Sequence, residues 1–483
     1  MNKHQTLNNG DEDDDNDVDF NIYAEGGSNE VEKERDTFRP SILVAALVIT
    51  VAALPFALMI VIITLNQKDD DDDTRRLTMI DEDEYIPDIF PFRWPQDYLG
   101  FGFAVLGLLL ASSGGTGAGG ILIPIYILII GFPVKHAIAL ACVTVLGGAI
   151  ANYWLNHSKV HPNHPERPAI DWDLMLLLQP FTIAGALIGT DLNAALPDVL
   201  LLVLLLILLT VTANETFKKA NKMYREEESR IAQAQVTSNT FHSSEYVDFN
   251  AAESQTKQHG PGLEYHKEAN DDRESKLIKD ECNAGAIKLV YVFAIVIVFN
   301  VLEGLFLEGA VEWIMETFVF LILVLFWFYA RSSILERQNS GGPILSEVTW
   351  DEHNTAVYPM FSIAAGLVAG MFGIGGGIIN GPIMLALGVH PQVASATSSC
   401  GILFSSTMAT LCFWLFGLLK VDYAAFCMLV GFISTGIGQT LATRLLARFG
   451  NRNSYLVFCI AGVVAISAVA MGIESIIVIF SEH

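Results

Sequence analysis

Residues Met371 to Pro382 read MFGIGGGIINGP, which places five glycines and a proline in twelve positions of an otherwise apolar stretch. Glycine reaches positive φ without steric cost and proline carries no backbone N–H, so the stretch predicts a helix that stops and starts again. In hydrocarbon each unpaired amide costs several kcal/mol. Such a break persists only where protein or a wet cavity meets the freed groups. The restarting helix presents free N–H groups and roughly half a positive charge, which together suit an oxyanion.

The flanking sequence decides for a membrane. Apolar residues make up 52% of the 483-residue chain, and runs at 41–65, 174–211, 286–301, 311–330 and most of 357–480 approach or exceed what a bilayer crossing needs. The net charge of −25 is concentrated in acidic patches at 11–19, 69–73 and 81–84. A bare Asp run lacks the spaced ligands and turn glycine of a calcium loop, so these patches are expected to be solvated. Of the six cysteines, Cys142, Cys400, Cys412, Cys427 and Cys459 lie in apolar segments and Cys282 in a polar one. Their spacing gives neither a disulfide framework nor a paired zinc pattern.

An internal repeat organises the rest. Beside FGIGGGIINGPIMLALGVHPQVASAT, from Phe372, stands GGTGAGGILIPIYILIIGFPVKHAIAL, from Gly114. Gly115, Gly117, Gly119 and Pro124 fall on Gly373, Gly375, Gly377 and Pro382 at one constant offset. After a one-residue slip, Gly131, Ala137 and Ala139 fall on Gly388, Ala394 and Ala396. QPFTIAG, ending at Gly185, resembles VGFISTG, ending at Gly436. Glycines that only let helices pack would also form small-residue patterns, but they need not recur with the same proline.

The expected fold is an all-α polytopic membrane protein with two homologous, inverted repeats containing glycine-broken helices, plus an N-terminal anchor span. Its parts are a disordered acidic N-terminus (1–40), an anchor (41–65), an acidic loop (66–97) and a first repeat (98–214). A polar linker (215–285), two connecting helices (286–330), a polar loop (331–356), a second repeat (357–474) and a short tail (475–483) follow. Each repeat opens with a glycine-broken segment, 98–131 or 357–388, long for one helix and short for two spans. If each dips in and returns, each half makes an odd number of crossings. The halves are then inverted, and Lys218, Lys219, Lys222 and Arg225 share a face with Arg331, Arg337, Arg444, Arg448 and Arg452, as the positive-inside rule asks.

These stretches, together with HPNHPERPAIDWDLMLLLQPFTIAGALIG from His161, resemble the TauE/SafE family of membrane anion transporters, in its eukaryotic, plant-like branch. The resemblance covers both halves and implies export or exchange of sulfite, sulfonates or related sulfur oxyanions, without catalysis. Ala118 and Thr116 depart from the glycine-rich family pattern in the first half. The residues expected to meet the substrate are Gly115, Gly117, Gly119, Gly373, Gly375, Gly376, Gly377, Asn380, Thr397, Ser398 and Gln179, with Ser399 and Gln439 nearby. Hydroxyl and amide donors can hold an anion without the insertion cost of a full charge, although Ser and Thr also bond back to their own helices.

The partners expected are a small anionic substrate, the lipid bilayer and a coupling ion, for which a proton is the candidate and His136 one carrier. No nucleic acid, metal or cofactor is expected. His157, His161 and His164 sit among Pro162, Pro165 and Pro168, which break any helix that would align them as ligands. An anion channel and a membrane scaffold using the acidic tails are the alternatives. No GxGD or GxSG motif supports an intramembrane protease.

Overall fold

The computed structural model describes residues 96–112, 118–243, 261–306, 310–341 and 345–448, with scattered positions in 47–50 and 457–473. Apart from those scattered positions, the expected anchor at 41–65 lies outside the described residues, as do the acidic N-terminus, most of the 66–97 loop and the C-terminal tail.

Eleven helices are labelled here in chain order: α1 (Gln96–Ala111), α2 (Gly119–Ile125, prolonged by a π turn at Tyr126–Ile130), α3 (Val134–Asn156), α4 (Trp172–Ala195), α5 (Asp198–Ser243), α6 (Pro261–Phe306), α7 (Ala310–Asn339), α8 (Asn354–Phe372), α9 (Gly377–Ala386), α10 (Pro391–Leu415) and α11 (Val421–Arg448). Eight of the described helices are long and apolar enough to cross a membrane, whereas α1, α2 and α9 are short. The chain is an all-α, multi-pass membrane protein. α5 and α6 continue as helices into the polar linker from both sides.

Local chemistry sets the boundaries. Asp171 caps α4 by accepting from the Leu174 N–H (3.1 Å), and Pro391 occupies the first turn of α10. α2 ends at Gly131 in the left-handed conformation, φ 82°. α3, α4 and α10 are buried nearly all round and fill the centre. α6, α7 and α11 leave Tyr291, Phe318, Leu325, Ile437 and others exposed, as a lipid-facing surface requires.

Both broken segments fold back. Gly100 lies against Ile130 and Gly107 against Ile121, so α2 returns along α1. In the second half a Cβ on Gly376 would stand 3.5 Å from the Ala365 carbonyl, which brings the start of α9 back beside α8. The order α1–α2–α3–α4 is thus matched by α8–α9–α10–α11.

Contact registers give the directions of the equivalent helices. Cys142 meets Thr410 (3.6 Å) while Asn152 and Ser399 line one cavity, so α3 and α10 run antiparallel. α4 runs with α10, joined at Asp171–Thr397 and Gln179–Gly401. α11 runs with α3, joined at Leu418–His136 and Gln439–Asn156. α3 is thereby opposed to α10, and α4 to α11.

The halves interlock through glycine. A Cβ on Gly185, Gly189, Gly366 or Gly370 would fall on the backbone of the facing helix, so α4 and α8 touch main chain to main chain. Gly147 and Gly431 do the same for α3 and α11. Small residues that let backbones approach are the principal adhesive between helices in lipid.

One face gathers the α3–α4 loop, the α7–α8 loop and the start of α10. His161 Nε2 meets Glu347 Oε1 at 2.7 Å, and the other carboxylate oxygen of Glu347 accepts from the His390 N–H. Lys159, Arg167, Arg331, Arg337 and Arg444 lie toward this face, the distribution that the positive-inside rule expects of a cytosolic side.

Candidate functional site

The start of α2 meets the second glycine break. A Cβ on Gly119 would stand 2.5 Å from Ile374 Cα and 2.8 Å from Gly373 O, so the start of α2 touches the second break directly. Gly373 and Gly375 adopt φ of 62° and 81°, in the left-handed region that other L residues enter only at a cost of about 1–2 kcal/mol. Gly373 is also pressed on α3, where a Cβ would lie 2.6 Å from Ile138 O.

The ends of the broken helices are treated unequally. The carbonyl ends are capped by side chains: Asn193 Nδ2 donates to Met371 O (2.7 Å) at the end of α8, and Ser112 Oγ to Leu109 O (2.9 Å) at the end of α1. The amide ends are not. Gly376, which starts α9, and Ala118, which starts α2, provide no side-chain cap. The carbonyl ends thus meet side-chain donors, whereas the residues that precede the two restarting helices offer no side-chain acceptor.

Asn380, one turn into α9, donates through Nδ2 to Thr182 Oγ1 (3.2 Å), and Thr182 donates to Leu178 O (3.1 Å). The Oδ1 atom of Asn380 is buried without a hydrogen-bond partner, although the residue is only 4% exposed. An orphaned buried polar atom marks a place where a water or ligand belongs. Ser398 Oγ reaches Gly377 O at 3.4 Å.

Among the residues singled out from sequence, Gly119, Gly373, Gly375, Gly376, Gly377, Asn380 and Ser398 are brought together around the breaks. Gly115 and Gly117 lie outside the described residues. Gln179 ties α4 to α10 through Gly401 O (3.1 Å), beside Ile402, the residue against which Gly375 packs. Thr397 turns elsewhere, its hydroxyl accepting the Asp171 N–H (2.9 Å). His136 is buried at the opposite end of α3 from Asn156, with Nδ1 on Leu418 O (2.8 Å).

Three features escape a reading of sequence. Thr182 and Asn193 look like ordinary polar residues of a helix. They are found only by noting that polar atoms inside an apolar span need a reason. On the face that gathers the basic residues, the carboxylate of buried Asp171 accepts from Ser346 Oγ (2.6 Å), and neighbouring Asp173 pairs with Arg337. Burial first, and the charge of Asp173 second, push the Asp171 carboxyl up to about 7. Burial likewise pulls His161 below its ordinary value, against the opposing pull of Glu347. No group of three or more His, Cys, Asp or Glu that could hold a metal occurs among the described residues.

The family profile described as "Sulfite exporter TauE/SafE" matches residues 99–244 and 281–471, which contain both breaks and both sets of returning helices. In Arabidopsis thaliana, "Sulfite exporter TauE/SafE family protein 3" is 31% identical over 393 residues, 79% of each chain. "Sulfite exporter TauE/SafE family protein 5", from the same plant, is 29% identical over 384 residues, 76% of this chain and 80% of the relative. No solved structure matches the chain. With most of its length matched, and with the breaks inside the match, the chain belongs to the TauE/SafE family.

Proposed function

We propose that the chain is a secondary transporter that exports or exchanges small sulfur-containing oxyanions, such as sulfite or an organosulfonate, bound where the two breaks touch, with a proton as coupling ion. The observation that carries this reading is the unequal capping of the broken ends: carbonyls are satisfied by Asn193 and Ser112, amides at Gly376 and Ala118 have no side-chain cap. Free N–H groups and the positive helix end hold an oxyanion without a buried cation, so binding stays weak enough for release. The plant relatives named as sulfite exporters support the choice of sulfur oxyanions.

The test is flux in liposomes carrying the purified protein, with sulfite, sulfate, thiosulfate and taurine offered in turn. A transporter gives saturable flux that is accelerated by the same anion on the far side, and Gly376→Val abolishes it by crowding Thr182 Cγ2, already 3.2 Å from the Cβ position. Linear flux without counter-flow points to a channel. Normal flux in a well-expressed Gly376→Val protein places the anion elsewhere.

A further inference from the structure

We propose that the second break binds its oxyanion in the singly charged, protonated form, hydrogensulfite, so that the coupling proton crosses on the substrate and not on a side chain. This deepens the transport reading above and rests on it. Two observations carry it: the helices around the break hold no formal charge, and one buried amide is turned so that it asks for a hydrogen.

α8 and α9 meet α4, α10 and α3 at the second break. Gly366 lies against Thr182 O, Ser398 Oγ reaches Gly377 O, and Gly373 presses on Ile138 O. Residues 137–156, 174–190, 354–386 and 391–415 contain no Asp, Glu, His, Lys or Arg. Thiols and phenols are the ionisable side chains left in them: Cys142, which lies against Gly373, with Cys400, Cys412, Tyr153 and Tyr358. Asp171 and Asp173 stand more than two turns before Thr182, at the start of α4. His136, two residues before Ile138, lies at the Gly373 side of the break, with Nδ1 on Leu418 O (2.8 Å). An anion at Gly376 therefore meets the backbone N–H groups and roughly half a positive charge at the start of the ten-residue α9, with no buried cation. The desolvation cost of an ion grows with the square of its charge, so a dianion pays about four times what a monoanion of the same size does. Such a site favours one negative charge.

The amide of Asn380 adds a preference for a donor. Thr182 Oγ1 gives its one hydrogen to Leu178 O (3.1 Å), so toward Asn380 it offers lone pairs, and Asn380 Nδ2 donates to them (3.2 Å). That fixes the amide, and Oδ1 is the atom left over, buried with no hydrogen-bond partner. The group stands beside the start of α9, since a Cβ on Gly376 would lie 3.6 Å from Asn380 Nδ2 and 3.2 Å from Thr182 Cγ2. A buried carbonyl oxygen repels a bare oxyanion and is satisfied by an O–H. Hydrogensulfite brings both parts: oxygens for the backbone N–H groups and one hydrogen for Oδ1. Sulfate and thiosulfate are dianions at neutral pH, and the SO₃ group of an organosulfonate carries no hydrogen, so each meets part of the demand.

The test uses the wild-type protein in liposomes from about pH 6 to about pH 9, and its readout is the half-saturating concentration of sulfite, which should rise about tenfold per pH unit above the second dissociation of sulfite. Leak in protein-free liposomes is subtracted, because neutral SO₂ crosses lipid unaided. Expressed as hydrogensulfite, half-saturation should stay constant. Methanesulfonate, a monoanion throughout this range, should compete weakly and equally at every pH, and sulfate should compete least. Asn380→Ala should weaken hydrogensulfite several-fold and leave inhibition by methanesulfonate nearly unchanged, whereas a purely structural role would weaken both alike. Half-saturation constant in total sulfite or in the dianion, sulfate competing as well as sulfite, equal losses for both anions in Asn380→Ala, or methanesulfonate inhibition that follows pH as sulfite does, the mark of a titrating side chain such as His136, each overturn the inference while leaving the break site intact. Absence of saturable sulfite flux at every pH overturns the transport reading itself.

Discussion

Replacing Gly119 by alanine is the sharpest single perturbation of the site. The added Cβ would stand 2.5 Å from Ile374 Cα and 2.8 Å from Gly373 O, whereas carbons in contact sit about 3.5–4.0 Å apart. Relief therefore needs the breaks to part by about 1 Å. Neither neighbour yields easily, since both are backbone and Gly373 is itself packed on Ile138 O. Overpacking of this kind costs about 1–3 kcal/mol of stability. An amide–oxyanion hydrogen bond at about 2.9 Å is no longer one at about 3.9 Å. An anion shared by both breaks then loses about 1.5–3 kcal/mol per charged hydrogen bond, a ten- to hundredfold rise in half-saturation. Two neighbours serve as controls: on Gly120 the Cβ meets only the end of Leu209, at 3.3 Å, and on Gly102 it meets nothing within 4 Å. Thermal midpoints in detergent and sulfite half-saturation in liposomes should single out Gly119→Ala. If it matches Gly120→Ala in both, the breaks are not in contact and the shared site fails.

Gly366→Ala, whose Cβ would fall on Thr182 O, should lower the thermal midpoint through separation of α4 from α8, whereas Gly436→Ala, with open space around it, should leave the midpoint unchanged. Asn380→Ala should weaken apparent sulfite affinity by about 0.5–1.5 kcal/mol with expression retained, as read from half-saturation. Burial, with the charge of Asp173 second, pushes the folded-state Asp171 carboxyl up to about 7, above the ordinary carboxylate range, so the folded state holds its proton more tightly. Its stabilising contribution is full below about 4 and is lost as pH rises through about 7. Thermal midpoints should therefore fall between pH 5 and pH 8 in the wild type and change less in Asp171→Asn. The sequon at Asn156 should remain unglycosylated on expression in eukaryotic cells, since that residue faces the cytosol and is buried; a glycan there would invert the topology.

The paired breaks were legible because backbone geometry leaves a mark in residue type: Gly373 and Gly375 need positive φ, and few other residues accept it. Span positions followed from hydropathy for the same reason, that lipid leaves the chain little choice. Pairing between helices left no such mark. That Gly185 and Gly189 meet the backbone of α8 between Ile363 and Met371 depends on which faces turn toward each other, and small residues would suit either a neighbour in the same half or one in the other. Asp171 and Asp173 read as span-end acids. Their link to Ser346 and Arg337 depends on a loop far along the chain. The helical extension of α5 to Ser243 was legible only in part, as one of two readings of the linker beside disorder, because residues 215–243 lack an apolar period. Their Ala, Glu, Lys, Arg and Gln content favours helix on propensity alone.

The interlocked glycine contacts also constrain the order of assembly during synthesis. α4 is made long before α8, and its contacts reach far ahead: Thr182 bonds to Asn380, 198 residues later. Until α8 is inserted, Gly185 and Gly189 present a groove with no partner, which lipid or another nascent helix can occupy. The first repeat alone is therefore an unfinished object, with its central helices still missing the surfaces that cover them. Non-local pairing of this kind makes folding slow and exposes intermediates to misassembly. A chain halted within the linker should accordingly be a target for membrane quality control.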